Sequence, residues 1–183
     1  MFKNLFSFDG RIRRTEFGIS YIIYSAVAFL FSMFLEGMKQ NGTKLVVELK
    51  PSVVSKERGQ LLATISHNLI KRIGAEKWVS YISFDYDILK RLRQLDASAH
   101  LEYLNGDVHP SKIKEDAISG MDYNHSVFKK NPDWIDLAKQ LKLVTNVWTV
   151  NSKEDLLLFL GMDVDYITTN EPELLFQLAK SKN

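Results

Sequence analysis

From Lys44 to the C-terminus, strand-like segments alternate with segments of helical spacing, and this alternation constrains the fold more than any other feature. The strand-like segments are 44–49, 78–84, 100–104, 120–124, 144–150 and 164–169. The helix-like segments are 56–73, 86–95, 110–118, 132–141, 152–160 and 172–180. Six β–α units in series predict a parallel sheet with helices outside it. Periodicity leaves two architectures open, a doubly wound sheet and a barrel.

Two helix starts carry capping signals. Asn131 precedes Pro132 and is predicted to cap the helix at 132–141. Ser152 opens a Ser-x-x-Asp pattern that ends at Asp155, which is typical of a capped N-terminus. These signals place helix boundaries between the last three strands.

Residues 17–35 form an apolar run without charge or proline. A bilayer core needs about 20 such residues in a helix. Basic residues precede the run, and they are Lys3, Arg11, Arg13 and Arg14. The run therefore predicts one transmembrane helix with the N-terminus in the cytoplasm and the remainder outside. A signal peptide and a soluble core helix are the alternatives, although residues 32–36 offer no good cleavage site.

The segment 8–17 (FDGRIRRTEF) resembles the start of a small family of bacterial inner-membrane proteins. This resemblance implies location in the inner membrane and nothing about chemistry. The expected organisation is an N-terminal membrane segment at 1–36, a polar linker at 37–44 and an α/β domain at 45–183.

Composition excludes several classes of function. The 183 residues carry a formal net charge of +2, so nothing favours a nucleic-acid partner. The chain has no cysteine, which removes disulfides, thiolate metal sites and a cysteine nucleophile.

Glu48 and Lys50 end the first strand and are the most informative charged pair. Residues two apart in a strand share a face, so both side chains point together, with Val46 below them. Charges at the end of an apolar parallel strand fit the mouth of a barrel, where catalytic residues cluster. A carboxylate there can bind a hard cation, and an ammonium can hold a phosphate oxygen. A structural ion pair at the strand end is the alternative.

Four strand ends together carry a family resemblance. They read ELK at 48–50, ISFD at 82–85, VWTVN at 147–151 and DYITTNEP at 165–172. In this order and spacing they are similar to the glycerophosphodiester phosphodiesterase family, over about 125 residues. The resemblance implies an incomplete TIM-type (β/α) barrel of about six parallel strands, preceded here by the transmembrane helix.

The resemblance also implies site residues. The family holds a divalent metal, calcium or magnesium, with three carboxylates, and Glu48 matches the third of these. Lys50 matches the phosphate-contacting lysine, and Trp148 matches an aromatic that walls the substrate pocket. Ser83 and Phe84 are expected to shape a strand end rather than to perform chemistry.

The family's first catalytic segment has no counterpart in the sequence. Its His-Arg-Gly strand end, its Glu-x-Asp metal pair and its second histidine are all missing from the sequence. No catalytic residue is therefore assigned.

The four histidines present offer little to replace the missing ones. We expect His67 on the surface of a helix, His100 at the wrong end of a barrel strand, and His109 in a loop. His125 follows the fourth strand and is either a substrate contact near the mouth or an ordinary loop residue.

Three functional hypotheses follow. The first is a membrane-anchored phosphodiesterase-like protein for glycerophosphodiesters or related phosphate-containing small molecules, inactive alone. The second is a degenerate or fusion fragment with weak phosphate binding, and the third is a membrane-anchored interaction module. Open sheet edges also predict self-association.

Overall fold

The chain divides into two units, Met1–Lys44 and Leu45–Asn183. The structure is a computed structural model that describes residues 33–34, 36–37 and 40–181. The predicted transmembrane helix at 17–35 lies outside the described residues except for Met33 and Phe34. Among the helices of the described part, none is both long and apolar enough to span a bilayer.

The second unit alternates strands and helices in the predicted order. Its strands are β1 (Leu45–Glu48), β2 (Val79–Ser83), β3 (His100–Tyr103), β4 (Gly120–Asn124), β5 (Val144–Trp148) and β6 (Tyr166–Ile167). Its α-helices are α1 (Lys56–Arg72), α2 (Tyr86–Leu95), α3 (Pro110–Glu115), α4 (His125–Lys130), α5 (Asp133–Leu141), α6 (Lys153–Met162) and α7 (Pro172–Ser181). A short 3₁₀ turn, Glu76–Trp78, leads into β2.

Strand order decides between the two architectures that the sequence leaves open. The six strands are all parallel and lie in the order β1-β2-β3-β4-β5-β6. A doubly wound sheet reverses its order at a switch point, and this sheet does not. Each of β1 and β6 has a single hydrogen-bonded strand neighbour within the described residues. The sheet is therefore the open, partial barrel that the family resemblance implies.

The hydrophobic core lies between the sheet and its helices. Leu89 and Leu92 of α2 are fully buried, as are Met121 and Tyr123 of β4. The two β4 side chains lie two residues apart and so share the helix-covered face. The residue between them, Asp122, belongs to the opposite, inner face of the sheet, where the candidate site lies.

The cap predicted at Asn131 is wrong. Helix α5 begins at Asp133 with Pro132 at its N-cap, and no side chain caps it. Asn131 instead ends α4, because both its backbone N–H and its side-chain amide donate to the carbonyl oxygen of Val127, at 2.9 and 3.0 Å.

The cap predicted at Ser152 is confirmed. The Oγ of Ser152 accepts a hydrogen bond from the backbone N–H of Asp155 at 3.1 Å.

The surface position predicted for His67 is also wrong, because His67 is 5% exposed. It shares the packed side of α1 with Ala63 and Ile70, at helical spacings of four and three residues.

Candidate functional site

A cleft of about 430 Å³ opens on the inner face of the sheet. The carboxyl ends of the parallel strands meet at one edge of the sheet, which is where a barrel of this type holds its functional side chains. Glu48 of β1, Asp122 of β4, and Asn146 and Trp148 of β5 all line the cleft. The remaining walls are mostly apolar, and Ile82 and Leu104 belong to them.

Glu48 and Lys50 lie together at the rim of this cleft, as their spacing predicts. The Nζ of Lys50 is 3.8 Å from Oε1 of Glu48. The Lys50 side chain is 79% exposed and that of Glu48 is 34% exposed. An ion pair so long and so exposed contributes little to folding. Both side chains are therefore available to a ligand at low cost to stability.

The ends of β1 and β2 are joined by Ser83. Its Oγ donates to the carbonyl oxygen of Leu49 at 2.6 Å and accepts from the backbone N–H of Asp85 at 3.0 Å. The hydroxyl is fully buried and engaged in both directions. It fixes the chain between Glu48 and Lys50 and has no free donor for a substrate.

Trp148 is fixed against the neighbouring strand on one side and an aromatic ring on the other. Its indole Nε1 donates to the carbonyl oxygen of Asp122 at 2.7 Å. Its ring meets Phe84 edge-to-face, with centroids 5.9 Å apart. These contacts hold the indole at the cleft.

The ends of β5 and β6 are also tied together. The Oδ1 of Asn151 accepts from the backbone N–H of Asn170 at 2.9 Å and from Oγ1 of Thr169 at 3.4 Å. Nearer the cleft, Thr168 Oγ1 donates to Oδ1 of Asn146 at 3.3 Å. The VWTVN and DYITTNEP motifs thus form one hydrogen-bonded wall.

Two buried carboxyl groups lie on the inner face of β3 and β4. Glu102 is 5% exposed and Asp122 is 3% exposed. Glu102 Oε1 lies 2.8 Å from Nε2 of His100. In the described part of the chain, Glu102 Oε2 and Asp122 Oδ1 have no hydrogen-bond partner. Burial, and secondarily the charge of Glu102, raises the pKa of Asp122 to about 7.

None of the four histidines lines the cleft. His67 is buried in α1, and His100 begins β3, the end of the strand remote from the cleft. His109 caps α3 by accepting from the backbone N–H of Ser111 at 3.3 Å. His125 begins α4, directly after β4. The cleft therefore lacks an imidazole for acid–base chemistry within the described residues.

The described residues do not by themselves fit a divalent metal. Calcium and magnesium need several oxygen ligands, and Glu48 supplies one carboxylate at the rim. No group of three or more histidine, aspartate or glutamate side chains suited to a metal occurs among the described residues. Glu48 can therefore serve as one ligand of a larger set and not as a complete site.

Residues 22–174 match the sequence model of the glycerophosphoryl diester phosphodiesterase family. The chain belongs to this family. A glycerophosphodiester phosphodiesterase from Parabacteroides distasonis has a similar structure, with 33% sequence identity and a TM-score of 0.77. The match covers 83% of this chain and 64% of that one. The chain therefore spans less than two thirds of the length of this relative.

Two more distant structures show the same fold. A glycerophosphodiester phosphodiesterase from Agrobacterium tumefaciens is 17% identical with a TM-score of 0.62, covering 81% of this chain and 60% of that one. A phosphodiesterase from Oleispira antarctica, solved with the product sn-glycerol-3-phosphate, is 17% identical with a TM-score of 0.63, covering 80% and 59%. No curated protein matches the chain.

Sequence reasoning missed the polar floor of the cleft. Asp122 and Asn146 line it, but neither stands in a motif of the family resemblance. A signal for Asp122 was present, because β4 alternates apolar Met121 and Tyr123 with polar Asp122 and Asn124. Two-residue alternation of this kind indicates a strand with one polar face.

Proposed function

We propose that this chain is a glycerophosphodiester phosphodiesterase-like protein that binds the phosphate of a small-molecule ligand at Lys50, beside the metal-ligand candidate Glu48, and does not hydrolyse it alone. One observation carries the binding proposal: Glu48 and Trp148 line a single cleft, and Lys50 Nζ is 3.8 Å from Glu48 Oε1. These are the three residues that the family motifs select. The ligand of the Oleispira antarctica relative, sn-glycerol-3-phosphate, supports the same ligand class.

The role proposed for each residue follows from its chemistry. The exposed ammonium of Lys50 attracts the phosphate, and an ammonium is a common phosphate partner in proteins. Glu48 contributes one oxygen ligand to a calcium or magnesium ion when further ligands are supplied. Trp148 forms an aromatic wall for the organic part of the ligand.

The proposal that the chain does not hydrolyse its ligand alone rests on the groups that surround the cleft. General acid–base catalysis contributes roughly 10²–10⁴ in rate, and the cleft has no histidine within the described residues. A bound metal would neutralise phosphoryl charge and activate a nucleophile, but Glu48 alone is one ligand of several. We therefore expect the chain to bind a phosphate ligand without hydrolysing it.

Binding is tested first, with purified full-length chain. We expect glycerol 3-phosphate to bind measurably by calorimetry and Lys50→Met to weaken it roughly 10-fold. Lys153→Met removes another exposed lysine, at the start of α6, and should leave binding unchanged. Equal loss in both variants would show that the effect is net charge and would reject the site.

Activity is tested second, as metal-dependent release of glycerol 3-phosphate from glycerophosphocholine or glycerophosphoethanolamine. We expect no release above the Glu48→Ala control, with calcium or magnesium present. Turnover that disappears in Glu48→Ala would overturn the proposal of inactivity and show that the missing ligands come from elsewhere, such as a second chain that completes the site.

Membrane anchoring is a separate proposal that rests on sequence alone. The apolar run at 17–35 follows four basic residues, so we propose a single pass through a bacterial inner membrane with the α/β unit outside. Reporters that work in only one compartment, fused after Gly42, test the orientation. A cytoplasmic signal from that position would reject it.

A further inference from the structure

A second cleft, of about 410 Å³, lies at the end of the strands opposite to the cleft of Glu48 and Trp148, which we now call the first cleft. Helices α1 and α2 end at the second cleft, and strands β2 and β3 begin there. Its deepest lining residue is His67, which is 5% exposed, so the cleft reaches down to the packed side of α1. The charged and aromatic side chains that line it are Lys71, Glu76, Lys77, Trp78 and Asp96.

Four of these side chains carry charge, two of each sign. Lys71 and Lys77 are exposed, and Glu76 is half-buried. Within the part of the chain that the structure describes, none of these three side chains forms an ion pair or a hydrogen bond. All three can therefore pair with a ligand without giving up an existing ion pair.

Asp96, the fourth, is held as a carboxylate. Its Oδ1 accepts from Oγ of Ser98 at 2.6 Å and from the backbone N–H of Ser98 at 2.7 Å. These two hydrogen bonds lower the pKa of Asp96, so it is ionised at neutral pH. Its other oxygen, Oδ2, has no partner among the described residues and is accessible to solvent, so a ligand can reach it.

The turn that carries the two lysines is fixed by its own backbone. The N–H of Gly74 donates to the carbonyl oxygen of Lys71, and that of Ala75 donates to the carbonyl oxygen of Ile70, both at 3.1 Å. Gly74 has a φ of +64°, a left-handed conformation that glycine adopts readily. A fixed turn lowers the conformational entropy that a ligand must overcome when it orders the lysines.

We propose that the second cleft binds a small zwitterion that carries a primary ammonium group and an oxyanion. The ammonium pairs with Glu76 and Asp96, and the oxyanion pairs with Lys71 and Lys77. The half-buried ring of Trp78 provides an apolar wall for the carbon part of the ligand. Both α-amino acids and aminoalkyl phosphates have this chemistry. The site is independent of phosphate binding at Lys50.

Ligands of a single charge match the second cleft less well. A simple anion would meet the carboxylates of Glu76 and Asp96, and a simple cation would meet the ammonium groups of Lys71 and Lys77. A metal ion is also disfavoured, because the described residues include no group of three or more side chains suited to hold one. A ligand with one charge of each sign is complementary to both pairs.

The test is an NMR titration of the full-length chain with leucine, and it follows the indole N–H signals of Trp78 and Trp148. We expect the Trp78 signal to move and the Trp148 signal to stay, because Trp148 lines the first cleft. Isoamylamine is leucine without its carboxylate, and isocaproate is leucine without its ammonium group. Each should bind roughly 5-fold more weakly than leucine, because each loses one set of exposed ion pairs.

Two substitutions in the cleft have matched controls outside it. Lys77→Met and Glu76→Gln should each weaken leucine binding by up to about 5-fold, the upper end for an exposed ion pair. The controls are Lys114→Met, an exposed lysine of α3, and Glu173→Gln, an exposed glutamate in the first turn of α7. Both controls should bind leucine as the wild type does.

Phosphoethanolamine distinguishes the two sources of the zwitterion. It is titrated into Lys50→Met, so that phosphate binding at the first cleft does not contribute. Tighter binding than leucine at Trp78 would support an aminoalkyl phosphate as the ligand, and weaker binding would support an amino acid.

Three results would overturn the proposal and leave the proposed function intact. Isocaproate that binds as tightly as leucine would show an anion site, and isoamylamine that does so would show a cation site. A Trp78 signal that neither zwitterion moves would show that the second cleft binds neither. Loss of glycerol 3-phosphate binding in Lys50→Met bears only on the first cleft.

Discussion

The indole Nε1 of Trp148 donates a hydrogen bond to the carbonyl oxygen of Asp122 at 2.7 Å, across the β4–β5 pair. The aromatic wall of the cleft is thereby joined to the strand that carries its acidic floor. Trp148 belongs to a family motif and Asp122 does not, so this hydrogen bond joins a motif residue to a residue outside the motifs. Any change at Trp148 therefore acts on the floor of the cleft as well as on its wall.

Trp148→Phe removes the indole donor and keeps an aromatic ring. We expect the free energy of unfolding to fall by about 1 kcal/mol, the net value of one hydrogen bond, and glycerol 3-phosphate to bind more weakly. Urea unfolding and calorimetry measure the two effects. Trp134→Phe is the control, because Trp134 packs on His109 and Tyr123 away from the cleft. The Trp134→Phe variant should bind glycerol 3-phosphate as tightly as the wild type. An equal loss of affinity in this variant would contradict a local role for Trp148.

Stability should depend on pH through Asp122. Its pKa rises from 3.8 to about 7 in the folded chain, so the folded state binds the proton more tightly than the unfolded state. The stabilisation that comes from protonated Asp122 is complete below pH about 4 and is lost as pH rises through about 7. One pKa unit corresponds to about 1.4 kcal/mol, which gives an upper bound of about 4 kcal/mol.

Comparison with Asp122→Asn isolates this contribution, because other titrating groups are common to both proteins. The difference in the free energy of unfolding, variant minus wild type, should become more positive between pH 4 and 8. Urea unfolding at several pH values measures it. A difference that stays constant across this range would show that Asp122 titrates normally.

The parallel pairing of the strands and the rim of the cleft follow from local features of the sequence. Alternation along β1 correctly paired Glu48 with Lys50, because the two-residue period of a strand depends on backbone geometry alone. Repeated β–α units likewise predict parallel pairing whatever their detailed packing. The choice of a barrel over a doubly wound sheet needed the strand order, which is a long-range property.

The misplaced residues are those whose surroundings are set by distant segments. His67 is buried because its side of α1 packs in the core, and helical spacing alone did not show which side that is. The sequence pattern places Asn131 at the start of the following helix, whereas its hydrogen bonds go back to Val127. Asp122 stands in none of the family motifs, and only the alternation along β4 marks its face of the strand as polar.

Gly120→Ala tests how closely β4 and β5 approach. A Cβ at Gly120 would clash with the backbone carbonyl oxygen of Val144 and would lie 2.9 Å from its Cβ. Backbone atoms cannot move aside as a flexible side chain can, so the strand pair must separate. We expect a loss of roughly 1–3 kcal/mol in the free energy of unfolding, the usual cost of overpacking.

Gly161→Ala is the matched control for that substitution. Gly161 lies in α6, and a Cβ there meets nothing within 4 Å. Alanine favours a helix over glycine by roughly 0.5–1 kcal/mol, so this variant should be as stable as wild type or more so. Thermal unfolding compares the two, and equal destabilisation would show that the close contact at Val144 does not govern the result.

Helix α1 presents an exposed apolar stripe that we expect to drive self-association. Leu61, Ile65 and Leu69 recur every four residues and are 56%, 57% and 46% exposed. Leu62, 39% exposed, widens the stripe. The helix lies between β1 and β2 in sequence, and β1 is an edge strand among the described residues. An exposed apolar stripe and an open strand edge each favour pairing with another chain.

A fragment that begins at Asn41 measures this without the N-terminal apolar run. We expect it to sediment as dimers or larger species at micromolar concentration. Replacing Leu61, Ile65 and Leu69 together with glutamine should reduce the average mass, because the apolar stripe is lost while helix propensity is nearly kept. The control replaces Val53 and Val54, which are 101% and 67% exposed outside the helix, with threonine, and should leave the mass unchanged. A monomeric fragment with a sharp cooperative melt would contradict the prediction, because it would show that the stripe and the sheet edges do not pair with a second copy.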